Sequence, residues 1–375
     1  MTARPTQAHA PAMTATATAR TVDPTRRPGA AMPPTHRRRR IEQAGPPAGT
    51  ADFSALAEPF RPELLAHCYR MLGSLHDAED LVQETYLRAW RGYDRFEGRS
   101  SVRQWLYKIA TMTCLTALET RTRRPLPSGL GAPADDHRVA VAADRTDIPW
   151  LQPAPDALFA PTPGATSTMG ADPGAIVAVR TGVRLAFIAA LQYLPARQRA
   201  VLTLRDVLAF RTAETADILD MTPAAVDSAL RRARARLAEA APVEDEQAEP
   251  DEAGTRRLVD AYVDAFTRAD PAALVDLLRT DAELEMPPVP TWFTGRDAVV
   301  GFLAHRVLRP GRWRLVPTRA NGQAAVAAYR HAGNGCHTAF DIQVLTFRGP
   351  RIARITAFQQ PGLIPAFGLP AAVMS

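Results

Sequence analysis

The spacing of apolar residues changes along this chain, and that change limits its fold more than any other feature. Across residues 51–124 and again across 175–240, apolar side chains recur every three or four positions. Leu81, Val82, Tyr86, Ala89 and Trp90 form one such stripe, and Val102, Trp105, Leu106, Ile109, Ala110 and Met112 form another. From residue 282 the period drops to two. Residues 282–286, 313–318, 324–330, 338–347 and 351–358 read as strands, with helices at 257–267, 271–278 and 297–307. Such a chain predicts a multidomain protein: two all-α helical domains, then a C-terminal α+β unit built on a curved, mostly antiparallel sheet. A length of 375 residues accommodates three domains.

The segments between these units differ in composition, and the 33 prolines concentrate outside the periodic stretches. Residues 1–50 have too little apolar surface to offset ordering entropy and read as a disordered tail ending in an arginine run. The first folded unit is expected at 51–124, a Pro/Gly-rich linker at 125–174 and the second helical unit at 175–240. An acidic hinge then spans 241–253, and the third domain with an apolar tail spans 254–375. Within the linker, Ile148-Pro-Trp-Leu-Gln-Pro-Ala-Pro-Asp156 sets a Trp-Leu pair in a proline-rich frame, and this pair is expected to dock on another domain. The apolar tail, 363–373, is expected to pack back on the domains.

The net charge of +6 suits a nucleic-acid partner without requiring one. Lys108 is the only lysine, so nearly all positive charge is arginine. Cys68, Cys114 and Cys336 are far apart, with no spacing that suggests zinc or a disulfide framework. No uncharged apolar run approaches the ~20 residues that span a bilayer, and no signal-peptide pattern opens the chain. The expectation is a cytoplasmic protein with no membrane association, no metal and no cofactor.

Asp77-Ala-Glu-Asp-Leu-Val-Gln-Glu84 starts an acidic amphipathic helix, with Asp77 as the expected N-cap, and Trp105-Leu-Tyr-Lys-Ile-Ala110 lies on a second helix that ends in Arg121, Arg123 and Arg124. Together these resemble region 2 of the sigma-70 class of RNA polymerase sigma factors, specifically the extracytoplasmic-function (ECF) group. The resemblance implies that Asp77, Glu79, Asp80, Gln83 and Glu84 face the β′ clamp helices of core RNA polymerase, with Gln83 and Glu84 as the main pair. It places Phe96, Glu97, Arg99 and Ser100 near a flipped-out base of the promoter minus-10 element, and Trp105, Lys108 and Met112 along the single strand. Extruding a base needs such an aromatic and basic surface. Met112 stands where many relatives carry Asn.

In the second unit, Thr212-Ala-Glu-Thr-Ala-Asp-Ile-Leu219, a short turn and a helix from Pro223 form a helix-turn-helix pattern, with Thr222 as N-cap. Asp220 holds the turn position where Gly is usual and tolerates the left-handed conformation. This resembles sigma region 4, which reads the minus-35 element and meets the polymerase β flap. A recognition helix presents its first turns to base edges. Pro223, Ala224, Asp227, Ser228 and Arg231 are therefore expected to face bases, and Arg232, Arg234 and Arg236 phosphates.

The third unit resembles the SnoaL-like cone fold, through its layout and through Trp292-Phe-Thr-Gly-Arg-Asp297. Relatives of that fold include cyclases and isomerases that use a carboxylate or His as general base. The candidates here are Glu285, His305, His337 and Asp341, but no two show a spacing that demands catalysis. A pocket lined by Tyr262, Trp292, Phe302, Trp313, Tyr329 and Phe340 is expected to take a small-molecule ligand, or the domain to clamp the two helical ones. The resulting expectation is a sigma factor with a fused control domain and no catalysis of its own. The alternatives are a SnoaL-like enzyme tethered to DNA, and a helix-turn-helix regulator that never meets polymerase.

Overall fold

A computed structural model describes residues 48–98, 100–134, 136–159, 184–240 and 250–374. Residues 1–47, Arg99, Asp135, residues 160–183, 241–249 and Ser375, and with them most of the tail expected to be disordered, the end of the linker and most of the acidic hinge, lie outside the described residues.

The first helical module comprises α1 (Ala48–Ala57), α2 (Arg61–Leu72), α3 (Leu75–Gly92) and α4 (Val102–Glu119). Its boundaries follow local chemistry. Gly73 ends α2 in the left-handed conformation at φ 68°, and a Cβ there would also stand 2.8 Å from the Leu151 side chain. Ser74 caps α3 by accepting the Asp77 N–H, so the helix begins before Asp77 rather than at it. Ser101 caps α4 in the same way through Gln104.

The second module comprises α5 (Leu185–Leu191), α6 (Ala196–Leu202) running into a π turn at Thr203–Val207, α7 (Thr212–Leu219) and α8 (Pro223–Ala240). The third comprises α9 (Glu252–Thr267), α10 (Pro271–Leu277), β1 (Leu278–Met286), β2 (Val289–Thr294), α11 (Arg296–Phe302) with a π turn at Leu303–Val307, β3 (Trp313–Ala320), β4 (Gln323–Gly333), β5 (Cys336–Arg348), β6 (Arg351–Phe358) and β7 (Ala372–Met374). The strands form one sheet in the order β2-β1-β6-β5-β4-β3, with β7 paired to β5; β1 and β6 run parallel and the other pairs antiparallel. β2 falls in the Trp292 motif, where prolines at 287, 288 and 290 hide the alternation.

Both faces of this sheet are buried. Ala324, Val326 and Ala328 of β4 join the core inside the domain, formed with Val259, Tyr262, Phe266 and Leu274 of the domain's own helices. Ala325, Ala327 and Tyr329 point the other way, into one core shared with both helical modules, to which Leu363 and Ile364 of the tail also belong. The near-continuous apolar run of β4 is the sequence trace of that double burial.

The linker lies along these surfaces. Its backbone bonds to β2 through Ala134 N–H to the Trp292 carbonyl, and it reaches Pro288 through Arg145 N–H. Trp150 and Leu151 are buried, Leu151 within the shared core. Next to them Gln152 joins three parts of the chain. Its Oε1 accepts from the Ser74 hydroxyl at 2.9 Å and the Leu75 N–H at 3.0 Å, its Nε2 reaches Gln360 at 3.1 Å, and its carbonyl accepts the Tyr69 hydroxyl at 2.8 Å. Asn321 Nδ2 donates to that same hydroxyl at 2.8 Å. Truncating Leu151 to alanine is expected to cost about 2–5 kcal/mol, the range for a buried leucine, measured as a lower midpoint in urea denaturation.

Candidate nucleic-acid interface

On α3 the buried residues are Leu75, Ala78, Val82, Thr85 and Ala89. Trp90, expected among them, is 45% exposed, and Leu87 is 49% exposed. Asp80, Gln83, Leu87 and Trp90 follow i, i+3, i+7, i+10 and so share the outward face. Glu79 and Glu84 border it half-buried, with Glu84 accepting from Arg88 at 2.7 Å. Asp77 departs from the sequence expectation. Its carboxylate is taken by Arg121 and Arg124, and Arg124 also donates to the Trp150 carbonyl at 3.0 Å. Asp77 thus ties α3 to the end of α4 and to the linker, which leaves it little capacity for an outside partner.

Trp105, Lys108 and Met112 share one stripe of α4, at i, i+3 and i+7. Phe96 lies on the Trp105 ring, centroids 4.7 Å apart, with Ser100 half-buried and Glu97 exposed in the same loop. Lys108 is not open to solvent alone: its Nζ donates to the Asp217 carbonyl at 2.8 Å and to Asp220 Oδ1 at 2.7 Å. One turn earlier, Arg103 pairs with Glu63 at 3.0 Å and lies over the Tyr107 and Phe210 rings. Tyr107 and Phe210 meet edge-on at 5.1 Å. Behind these groups His67 is wholly buried, its Nε2 2.9 Å from the Thr111 hydroxyl, and burial together with Arg70 and Arg103 holds its pKa down to about 3.

In the second module the turn between α7 and α8 has the expected chemistry. Asp220 is left-handed at φ 50°, and Thr222 Oγ1 accepts the Ala225 N–H at 3.2 Å. Pro223, Ala224, Asp227, Arg231 and Arg232 are exposed and Ser228 is half-buried beneath Arg231 Nη2, at 3.4 Å. Arg234 is held by both oxygens of Asp206, at 2.9 and 2.7 Å, and braces α8 against the π turn. Arg199, unremarkable in sequence, is buried and donates to the Met71, Gln192 and Leu194 carbonyls and to Gln192 Oε1.

The expected pocket residues of the third domain do not converge. Tyr262, Phe266, Trp313 and Phe340 form a chain of ring contacts inside the cone, at 5.6, 5.9 and 5.2 Å. Phe302 stacks on Phe293 at 4.6 Å, and the Trp292 indole N–H donates to the Gly131 carbonyl of the linker at 2.9 Å. Tyr329 is on the opposite face of the sheet, in the shared core, because β4 alternates. The candidate bases separate in the same way. Leu284 and Met286 face the cone, so Glu285 faces outward, where it accepts the Ser128 N–H at 3.0 Å. Asp341 lies inside, linked through Gln343 Nε2 at 3.4 Å to the Tyr262 hydroxyl, and burial pushes its pKa up to about 8. His337 approaches the Gly311 carbonyl at 3.4 Å, and His305 is exposed on the π turn after α11.

Residues 56–124 match the family described as Sigma-70 region 2, 184–237 Sigma-70 region 4, and 259–355 the SnoaL-like domain. The chain is 48% identical over 322 residues to the ECF RNA polymerase sigma factor SigG of Mycobacterium tuberculosis, covering 85% of this chain and 84% of that one. It is 28% identical over 262 residues to SigJ of the same organism, covering 68% of this chain and 73% of SigJ. The crystal structure of SigJ superposes with a TM-score of 0.51 at 23% identity, over 86% of this chain and all of SigJ, and so shares its fold. With both helical modules matched and most of the length aligned, the chain belongs to the ECF RNA polymerase sigma factors, which direct transcription initiation, and it carries a C-terminal SnoaL-like domain.

Proposed function

We propose that α3 grips the β′ clamp helices of core polymerase through Asp80, Gln83 and Glu84, with Leu87 and Trp90 as apolar anchors beside them. The observation that carries this reading is the outward stripe of α3, where two large apolar side chains stay exposed next to carboxylates and an amide. Interfaces draw their energy from such central anchors. The Phe96–Trp105 pair and the face of α4 take the minus-10 strand. Pro223, Ala224, Asp227, Ser228 and Arg231 read the minus-35 duplex, with Arg232 on phosphate, while the second module also meets the β flap. Trp90→Ala and Glu84→Lys are each expected to weaken core binding by about tenfold or more while far-UV circular dichroism stays unchanged. Affinities equal to the parent in a fluorescence titration with core polymerase would remove α3 as the docking surface.

The SnoaL-like domain acts here by contact rather than by chemistry. Its outer sheet face completes the core of the helical modules, and Gln152 and Asn321 join it to α2 and α3, so any change in the cone is felt by the promoter-reading parts. We place the protein with the polymerase it serves, in the cytoplasm; among the described residues no helix is long and apolar enough to cross a membrane.

A further inference from the structure

Several acids of the helical modules are taken by a nearby arginine: Asp77 by Arg121 and Arg124, Glu84 by Arg88, Asp206 by Arg234. Asp227 is not. It is exposed on α8 with Arg231 four positions on, the spacing at which a helix pairs opposite charges. Yet among the described residues it makes no hydrogen bond or ion pair, and Arg231 turns to the Ser228 hydroxyl instead. Asp227 also lies past the first turn of α8, where Thr222 already caps and where a carboxylate would gain most from the helix dipole. Neither pairing nor capping accounts for it. A bare acid among residues that meet DNA repels phosphate, so its place there calls for a donor on the duplex.

We infer that Asp227 is a specificity-determining residue of the minus-35 contact and that the base it selects is a cytosine. This rests on the assignment of α8 to the minus-35 duplex. A carboxylate can only accept, and in the major groove two bases offer a donor, cytosine through N4 and adenine through N6. Adenine sets its N7 acceptor beside that donor, where it repels the second carboxylate oxygen, and cytosine carries no acceptor next to N4 on its own edge. Guanine and thymine present O6, N7 or O4 to the carboxylate and are rejected. Arg231 stands one turn along the same face. Side chains at this spacing start about 5–6 Å apart and base pairs about 3.4 Å apart, so its fork falls on the same pair or the next, and guanine O6 and N7 are its match. The minus-35 element therefore holds a cytosine with a guanine opposite it or one step away. Asp227 supplies the exclusion that arginines, which also bind any phosphate, do not.

Holoenzyme assembled from the full chain and core polymerase is used to select from duplex DNA of random sequence, and the bound fraction is sequenced. The parent should return an upstream box with one fixed cytosine and its neighbouring or opposite guanine. Asp227→Asn should convert that cytosine to adenine, which asparagine reads through N6 and N7, and leave the rest of the box as it was. Asp227→Ala should accept any base there. On a duplex of the selected sequence, exchanging the cytosine for 2-pyrimidinone keeps the guanine opposite and removes only the N4 amino group. This should weaken the parent about fivefold or more and Asp227→Ala less than twofold. Thermal melting verifies that the variants fold. A box unchanged in both Asp227 variants overturns the inference. An equal gain in affinity for every duplex also overturns it, by showing that Asp227 only repels phosphate. Where Arg231→Ala alters the box and the Asp227 variants do not, α8 still reads DNA and only the role of Asp227 falls. A box that none of the three variants alters removes the assignment of α8 itself.

Discussion

Asparagine in place of Asp341 is expected to make the protein more stable at pH 7, by up to about 4 kcal/mol. The Asp341 carboxyl is buried inside the cone, and its Oδ1 has no hydrogen-bond partner among the described residues. Burial raises its pKa from 3.8 to about 8, against the smaller opposing effect of the Gln343 hydrogen bond. Between those two values the folded protein holds a proton that the unfolded chain has released. Stability therefore falls as pH rises from about 4 to 8, at about 1.4 kcal/mol per pH unit. Asparagine has no proton to lose, so its gain over the parent should grow across this window and level off above pH 8. His67 works in the opposite sense. Its folded pKa near 3 lies below the ordinary 6.5, so stability is lost as pH falls below 6.5, and the two groups oppose each other between about 4 and 6.5. Above pH 6.5 only the Asp341 slope remains. Urea denaturation at pH 6.5 and pH 8, followed by tryptophan fluorescence, should show the parent weakening by about 2 kcal/mol and Asp341→Asn holding level. A parent as stable at pH 8 as at pH 6.5 would contradict the buried acid.

The opposite result is expected at Arg199, where alanine should cost about 3–5 kcal/mol. Its guanidinium is buried and its pKa is lowered to about 10 by desolvation, yet it satisfies three backbone carbonyls and the Gln192 side chain. One of those carbonyls, of Met71, ends α2 in the first module, so a single side chain closes the end of one module against the start of the other. Truncation leaves several buried acceptors without donors and opens a cavity. Lysine should recover only part of the loss, since it cannot place donors in the planar fork that this site uses. A midpoint for Arg199→Ala within 1 kcal/mol of the parent in denaturation would show that the carbonyls find other donors.

These two residues mark what periodicity can and cannot reveal. Helices and strands follow from neighbours in sequence, and so Thr222 with Pro223 was legible as a helix start, as were the strands β3 to β6. Burial that depends on residues far along the chain was not. Trp90 fits the apolar stripe of α3 by spacing, but the helix rotates so that Ala89 faces α2 and α4 and Trp90 faces outward. Arg199 reads as one arginine among many until the Met71 carbonyl is placed beside it. Tyr329 was grouped with the cone aromatics by residue type, whereas strand alternation directs it to the shared core. The Lys108–Asp220 pair is separated by 112 positions, and only the unusual acid in the turn hinted at it. The linker shows the reverse case: the Trp-Leu pair was conspicuous because apolar side chains in a proline frame need a surface, and Leu151 has one against Gly73.

The shared core also sets the order of events during synthesis. Leu363 and Ile364 belong to the same core as helices made some three hundred positions earlier. A nascent chain therefore carries its first module with an uncovered greasy flank until residue 364 has emerged, and that interval is its exposure to aggregation.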